Sequence, residues 1–209
     1  MDRKRKAEQN RTVLAPMSGR IIPLEQVPDA VFSQKLMGDG MAIQPSDEKI
    51  YAPVSGKVIT VADTLHAYGI RTEDGLELLI HVGLDSVTLK GKGFRSHVKE
   101  GDTVTAGQLI AEVDLEILRK NDIPTITPVI LCNGVEGTTL RKADGKVKGG
   151  KDFLMALQGM SVGNAEKESR FSFDFLQKLG KVLMTVIAVM PAAGIVLSIG
   201  KLLQMADVS

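Results

Sequence analysis

The sequence predicts an all-β fold, a duplicated β-sandwich or barrel of the hybrid-motif type, followed by a flexible linker and a C-terminal hydrophobic helix. Three observations carry this expectation. From Thr12 onward, short β-branched runs are separated at close intervals by Pro, Gly, Asp and Ser, the rhythm of sandwiches and barrels. Ala15-Pro16-Met17-Ser18-Gly19-Arg20-Ile21-Ile22 recurs 37 positions later as Ala52-Pro53-Val54-Ser55-Gly56-Lys57-Val58-Ile59, so a turn feeding a strand is duplicated. Val182 to Ile199 holds 18 residues without a formal charge, flanked by Lys178, Lys181 and Lys201, long enough to span a membrane.

In chain order, residues 1–11 read as a solvated basic leader, with five basic and two acidic residues between Asp2 and Arg11. Residues 12–137 form the expected β domain. It is acidic, with 11 basic and 17 acidic residues, which argues against nucleic acid as a partner and suits a protein partner that presents Arg or Lys. Within it, Asp114 followed by Leu115-Glu116-Ile117-Leu118-Arg119-Lys120 predicts a capped helical turn. Residues 138–170, rich in Lys and Gly with little periodicity, read as a tether, with a short helical turn at Phe153 to Leu157. Residues 171–209 begin with an amphipathic lead-in carrying Phe171, Phe173, Phe175, Leu176 and Leu179, placed at a membrane interface. Pro191 and Gly194 are tolerable in the span that follows but kink it.

Met1 to Asn10 is charged throughout and has no secretory signal, so the β domain is expected in the cytoplasm, with the C-terminal segment at or in the cell membrane. The single cysteine, Cys132, excludes an internal disulfide framework and reads as a buried structural residue.

The chemistry-bearing stretch is Leu76-Glu77-Leu78-Leu79-Ile80-His81-Val82-Gly83-Leu84-Asp85-Ser86-Val87. An apolar strand delivers one imidazole, then a glycine and a carboxylate. His66 lies 15 positions upstream, and Glu73-Asp74-Gly75 between them carries the Asp-Gly signal of a tight turn. Folding there brings the two histidines onto neighbouring strands. A neutral imidazole, with an ordinary pKa of about 6.5, is a nucleophile near neutral pH that also departs readily.

Five ordered motifs resemble one family: Ala15-Pro16-Met17-Ser18-Gly19, Val27-Pro28-Asp29-Ala30-Val31-Phe32, Met37-Gly38-Asp39-Gly40, Thr64-Leu65-His66-Ala67 and His81-Val82-Gly83-Leu84-Asp85-Ser86-Val87. Together they are similar to the glucose-family enzyme IIA of the bacterial phosphoenolpyruvate-dependent sugar phosphotransferase system, over about Arg11 to Glu136. Phe175-Leu176-Gln177-Lys178-Leu179-Gly180-Lys181 and Val189-Met190-Pro191-Ala192-Ala193-Gly194 resemble the beginning of the system's enzyme IIC permease, so 171–209 reads as a truncated permease domain. Leu65 and Ser86 stand where the family often differs.

The resemblance implies a phosphoryl relay without cofactor or metal. His81 accepts a phosphoryl group from the carrier protein HPr and gives it to a cysteine on an enzyme IIB domain in trans. His66 donates a hydrogen bond to the phosphoryl oxygens, and Thr64 fixes the tautomer of His66. Backbone amides around Gly83 assist, and Asp29 and Asp85 meet an arginine of HPr. Val31, Phe32, Leu36, Met37, Leu79 and Val87 form an exposed apolar collar for docking. His97 is expected at the surface, outside the site. Three rival readings remain. The first is a regulatory binding module whose phosphorylation state partners sense. The second is a zinc hydrolase using His66 and His81, which lacks a recognisable third ligand. The third is a biotinyl or lipoyl carrier, echoed by the turn-strand rhythm of Val98 to Ile110 but lacking a lysine in the right hairpin context.

Overall fold

In the computed structural model of the chain, which describes residues 11–134 and 139–158, turn residues cut the sequence into short strands. In order these are β1 (Arg11–Leu14), β2 (Gly19–Pro23), α1 (Ala30–Ser33), β3 (Asp39–Pro45), β4 (Lys49–Tyr51), β5 (Gly56–Val61), β6 (Ala67–Arg71) and β7 (Glu77–His81). There follow β8 (Phe94–Ser96), β9 (Thr103–Val104), β10 (Leu109–Val113), α2 (Leu115–Lys120), β11 (Thr127–Leu131), β12 (Thr139–Lys142), β13 (Lys146–Val147) and β14 (Phe153–Gln158). Single 3-10 turns span Leu24–Gln26 and Ser86–Leu89. An eight-stranded sheet runs β13-β2-β3-β11-β7-β6-β5-β9, and two three-stranded sheets run β1-β14-β12 and β4-β10-β8. The fold is all-β, as the sequence predicts, and α2 starts where its Asp114 cap accepts the Ile117 amide at 3.0 Å.

The duplication is visible in reciprocal hydrogen bonds. The Leu14 amide donates to the Pro53 carbonyl at 2.9 Å, and the Tyr51 amide donates to the Pro16 carbonyl at 2.8 Å. Each Pro-x-Ser-Gly turn thus fills the backbone valences of the other's preceding strand, which is how two equivalent units lock without side-chain chemistry. Each turn also receives a glycine turn from later in the chain: the Gly107 amide meets the Ala52 carbonyl and the Gly150 amide meets the Ala15 carbonyl, both at 2.8 Å. The hydroxyls follow suit, Ser55 Oγ accepting from the Ala106 amide at 2.9 Å and Ser18 Oγ from the Gly149 amide at 3.0 Å. Val104 pairs with Gly56 as Val147 pairs with Gly19.

That second half of the repeat corrects the expected boundary. Residues 139–158 are strands of the β domain, not part of a tether. β14 pairs with β1 and β12 on either side, and its Leu154, Met155 and Leu157 are buried. Phe153 to Leu157 is accordingly a strand, not a helical turn. Lys146, Lys148 and Lys151, which mimic a linker, are exposed, and Gly145 at φ 80° and Gly150 at φ 71° make positive-φ turns, where glycine is the permissive residue. Arg11, assigned to the leader, opens β1. The remaining leader, residues 159–170 and the predicted lead-in and span at 171–209 lie outside the described residues. Among the described residues no helix is long and apolar enough to cross a membrane.

One core joins the sheets, built from Val13, Met17, Ile43, Ile50, Ile70, Leu78, Ile80, Val129, Leu131, Leu154 and Met155 among others. Gly40 shows how closely its strands pack. A Cβ added there sits 2.0 Å from the Val129 carbonyl oxygen, a backbone atom that cannot step aside. Gly40→Ala is therefore expected to destabilise the domain by about 3 kcal/mol or more, the upper end of overpacking costs, read as a lowered urea midpoint with unchanged slope.

Candidate functional site

β6 and β7 form a hairpin closed by Thr72 to Leu76. The Thr72 amide donates to the Leu76 carbonyl at 2.9 Å, and Gly75 takes φ 87°. The register that follows places Ala67 opposite His81, and the Val82 amide donates to the His66 carbonyl at 2.8 Å. The imidazoles meet edge to face, centroids 5.0 Å apart and planes at 78°. The Phe32 ring approaches the His81 ring at 5.2 Å and 60°. His66 reaches this place from a tight turn in which Leu65 holds φ 57°, a conformation that costs a branched side chain about 1–2 kcal/mol and that concentrates at functional sites.

Each ring is held through its Nδ1. His81 Nδ1 lies 2.8 Å from the Gly83 carbonyl oxygen. A carbonyl only accepts, so Nδ1 carries the proton and Nε2 keeps its lone pair. His66 Nδ1 lies 2.6 Å from Thr64 Oγ1, a bond that, with the hydroxyl donating, leaves the ring proton on Nε2. Burial pushes the pKa of His66 down to about 4, with the neighbouring His81 adding to the effect. Burial lowers the pKa of His81 as well, opposed by the Gly83 carbonyl and the carboxylates of Asp29 and Asp85. Both rings are thus neutral at pH 7. Because the folded chain resists protonating His66 while the unfolded chain does so near pH 6.5, stability present above pH 6.5 drains as pH falls toward 4. NMR titration is expected to find His66 still neutral at pH 5.5, where an exposed histidine is mostly charged.

The remaining predicted residues are spread around this pair. Asp29 caps α1, its Oδ1 accepting from the Val31 amide at 2.8 Å and the Phe32 amide at 3.4 Å, so it positions Phe32 against His81. Asp85 sits exposed at φ 57° with no capping bond from its side chain. Val31 and Leu36 are exposed at 42% and 59%, and Met37 and Val87 are half-buried. The predicted collar loses two members. Leu79 is 2% exposed and Phe32 is 5% exposed. β7 is central in a sheet covered on both faces, so alternate residues on it do not face solvent, and Phe32 turns inward onto the imidazole. The amides flanking Gly83 are also engaged elsewhere, Val82 with His66 and Leu84 with the Pro124 carbonyl at 2.9 Å. What Gly83 supplies to His81 is its carbonyl.

Sequence reasoning missed two supports. Ser86 is fully buried, and its Oγ donates to the Val82 carbonyl at 2.6 Å. Lys142, from the segment read as a tether, bonds Asp39 at 2.7 Å, while Lys35 bridges Glu25 at 2.7 Å and Asp39 at 3.1 Å. This ties β12 to the loop after α1. Cys132 is half-buried, its thiol pushed up to about 12 by burial and by Glu77, as suits a structural cysteine. His97 is exposed and pairs with Glu112 at 3.2 Å. Among the described residues no group of three or more His, Cys, Asp or Glu is arranged to hold a metal ion.

A duplicated all-β domain presenting two neutral, facing imidazoles, one with an uncommitted nucleophilic nitrogen, has the make-up of a histidine phosphocarrier. Residues 11–136 match the family described as phosphoenolpyruvate-dependent sugar phosphotransferase system, EIIA 1, and the chain belongs to that family. It is similar to the glucose-specific EIIA component of the PTS system from Halalkalibacterium halodurans, 46% identical over 137 residues that make up 64% of this chain and 79% of the relative. It is also similar to the solved glucose permease IIA from Mycoplasma capricolum, with a TM-score of 0.66 and 42% identity, covering 71% of this chain and 96% of that one. The chain is a phosphocarrier of the sugar phosphotransferase system, and as such a phosphotransferase.

Proposed function

We propose that His81 is the residue that carries the phosphoryl group, taking it from HPr and passing it to a cysteine of an enzyme IIB domain. The observation that carries the reading is the bond from His81 Nδ1 to the Gly83 carbonyl, which leaves Nε2 as the ring's nucleophile. In the first transfer the Nε2 lone pair forms the new N–P bond while the donor's N–P bond breaks and its electron pair returns to the donor nitrogen. The Nδ1 proton stays where the Gly83 carbonyl holds it. In the second transfer a thiolate sulfur forms the S–P bond, and the N–P bond electrons return to Nε2. No step requires a metal, because the charge is met by hydrogen-bond donors.

His66 is the principal donor. Its Nε2–H, fixed by Thr64 on the far side of the ring, is aimed at the oxygens of a group on His81 Nε2, where charge grows in the loose transition state of phosphoryl transfer. Asp85, exposed beside the site, meets a cation on the partner, and Val31 and Leu36 supply the apolar contact with Met37 and Val87 behind them. Asp29 shapes the same surface through its cap on α1. The names of the relatives point to glucose as the sugar served. The uncharged run Val182 to Ile199 supports a location of the chain at a membrane, with the β domain working on the cytoplasmic side.

The test is incubation with phosphoenolpyruvate, enzyme I and HPr, followed by mapping of acid-labile phosphate by mass spectrometry. Label is expected on His81 and is expected to vanish in His81→Ala. Full labelling of His81→Ala would contradict the assignment.

A further inference from the structure

We propose that Ser86 is a positioning residue for the His81 ring, acting through the backbone of the loop 82–86; the proposal rests on His81 being the phosphoryl acceptor. Ser86 is fully buried, an unusual setting for a hydroxyl unless it has work within hydrogen-bond reach. Its Oγ donates to the Val82 carbonyl at 2.6 Å and lies 3.4 Å from the Gly83 carbonyl oxygen. That Gly83 oxygen is the one accepting from His81 Nδ1 at 2.8 Å. The hydroxyl therefore grips the peptide immediately before the carbonyl that sets the tautomer of the nucleophile.

The loop needs such a grip. It leaves β7 through two left-handed conformations flanking Leu84, Gly83 at φ 75° and Asp85 at φ 57°, a region that favours glycine. A Cβ on Gly83 would come within 2.9 Å of Leu118 Cδ2 and 3.3 Å of Ser86 Cβ, so Ser86 also forms part of the wall against which the Gly83 peptide is seated. On the other side, the Leu84 amide is fixed to the Pro124 carbonyl at 2.9 Å. The Gly83 carbonyl is thereby held between two anchors, one of them the Ser86 hydroxyl. Removing the hydroxyl leaves the buried Val82 carbonyl short of a donor and frees the peptide to turn. The bond to Nδ1 then slackens, and the ring samples the tautomer in which Nε2 carries the proton and cannot attack.

The experiment records the imidazole nitrogens of His81 by long-range 15N–1H NMR in the full chain without any phosphoryl donor, for the native protein, Ser86→Ala and Ser86→Thr. The native ring is expected to be wholly Nδ1–H. Ser86→Ala is expected to show a mixture, and its rate of phosphoryl acceptance to fall by about tenfold or more, as small misplacements of a reacting group do, with KM for HPr unchanged. Ser86→Thr keeps the hydroxyl and is expected to restore both readouts. A purely packing role moves neither the tautomer nor kcat alone. A ring that stays wholly Nδ1–H in Ser86→Ala, with a rate within twofold of native, overturns the proposal. Should Ser86→Ala not fold, Ser86→Cys keeps the volume with a weaker donor, and a native tautomer there overturns it equally. An Nε2–H ring in the native protein overturns it without any variant. Because the spectrum needs no donor, loss of the acceptor role is read separately, by label that fails to map to His81.

Discussion

Replacing His66 with alanine is expected to separate the two halves of the relay: phosphate still loads onto His81, while delivery to the IIB cysteine falls by about 100-fold or more. The asymmetry follows from what each ring does. In the proposed relay the nucleophile is His81 Nε2, whose tautomer is set by the Gly83 carbonyl and does not depend on His66. The neighbouring ring, 5.0 Å away by centroids, is proposed to contribute a hydrogen bond to oxygens that gain charge as the phosphoryl group leaves. Losing one preorganised donor of that kind costs roughly 10²–10³ in rate. On loading, a phosphohistidine donor and its protein surround the same oxygens and share the task. Thr64→Ala should reproduce the defect more weakly, since the His66 ring remains but its tautomer is no longer fixed by Thr64 Oγ1. Rapid-quench measurement of loading and unloading in the same preparation checks the prediction. Equal loss in both directions would show that His66 shapes the ring of His81 and does not stabilise the departing group.

A chain ended at Gln158 is expected to fold cooperatively and accept phosphate, whereas one ended at Gly137 is expected to be unfolded or aggregated at 25 °C. The shorter chain loses β14, the hydrogen-bonded partner of β1, together with the fully buried Leu154 and Met155 and the nearly buried Leu157. Removing a large buried side chain costs about 2–5 kcal/mol. Three such losses come to about 6 kcal/mol even at the low end, against a total stability of about 5–15 kcal/mol for an ordinary domain. The loss of Gly149 and Gly150 adds to this, because their amides serve Ser18 Oγ and the Ala15 carbonyl. Near-ultraviolet circular dichroism and urea melts of the two chains decide it. A native melt for the chain ended at Gly137 would mean that the second half of the repeat is dispensable.

Much of this architecture is legible in the letters. The Asp74-Gly75 turn predicts the hairpin that brings His66 to His81, and the repeated Ala-Pro-x-Ser-Gly predicts the duplication. What escapes is physically specific. β13 is two residues long, Lys146–Val147, too short to show any period, and its kinship with Thr103–Val104 emerges from pairing with the equivalent strands β2 and β5. The family resemblance puts Leu79 in an exposed docking collar, but the strand that carries it, Glu77–His81, is buried along nearly its whole length in a sheet with no outward side. The acceptor that fixes His81 is a carbonyl oxygen, and every residue has one; only the fold says that Gly83 aims its own at Nδ1. Ser86 draws notice in the sequence solely as a mild departure from a family pattern, and its burial gives it a role.

The central claim is that His81 attacks through Nε2 because Nδ1 is engaged by the Gly83 carbonyl. The most direct measurement is two-dimensional 15N–31P correlation NMR on the chain phosphorylated by HPr under alkaline conditions that preserve phosphohistidine. The account predicts a single phosphohistidine, at His81, with phosphorus coupled to Nε2. Phosphorus coupled to Nδ1 of His81, or to either nitrogen of His66, would contradict it.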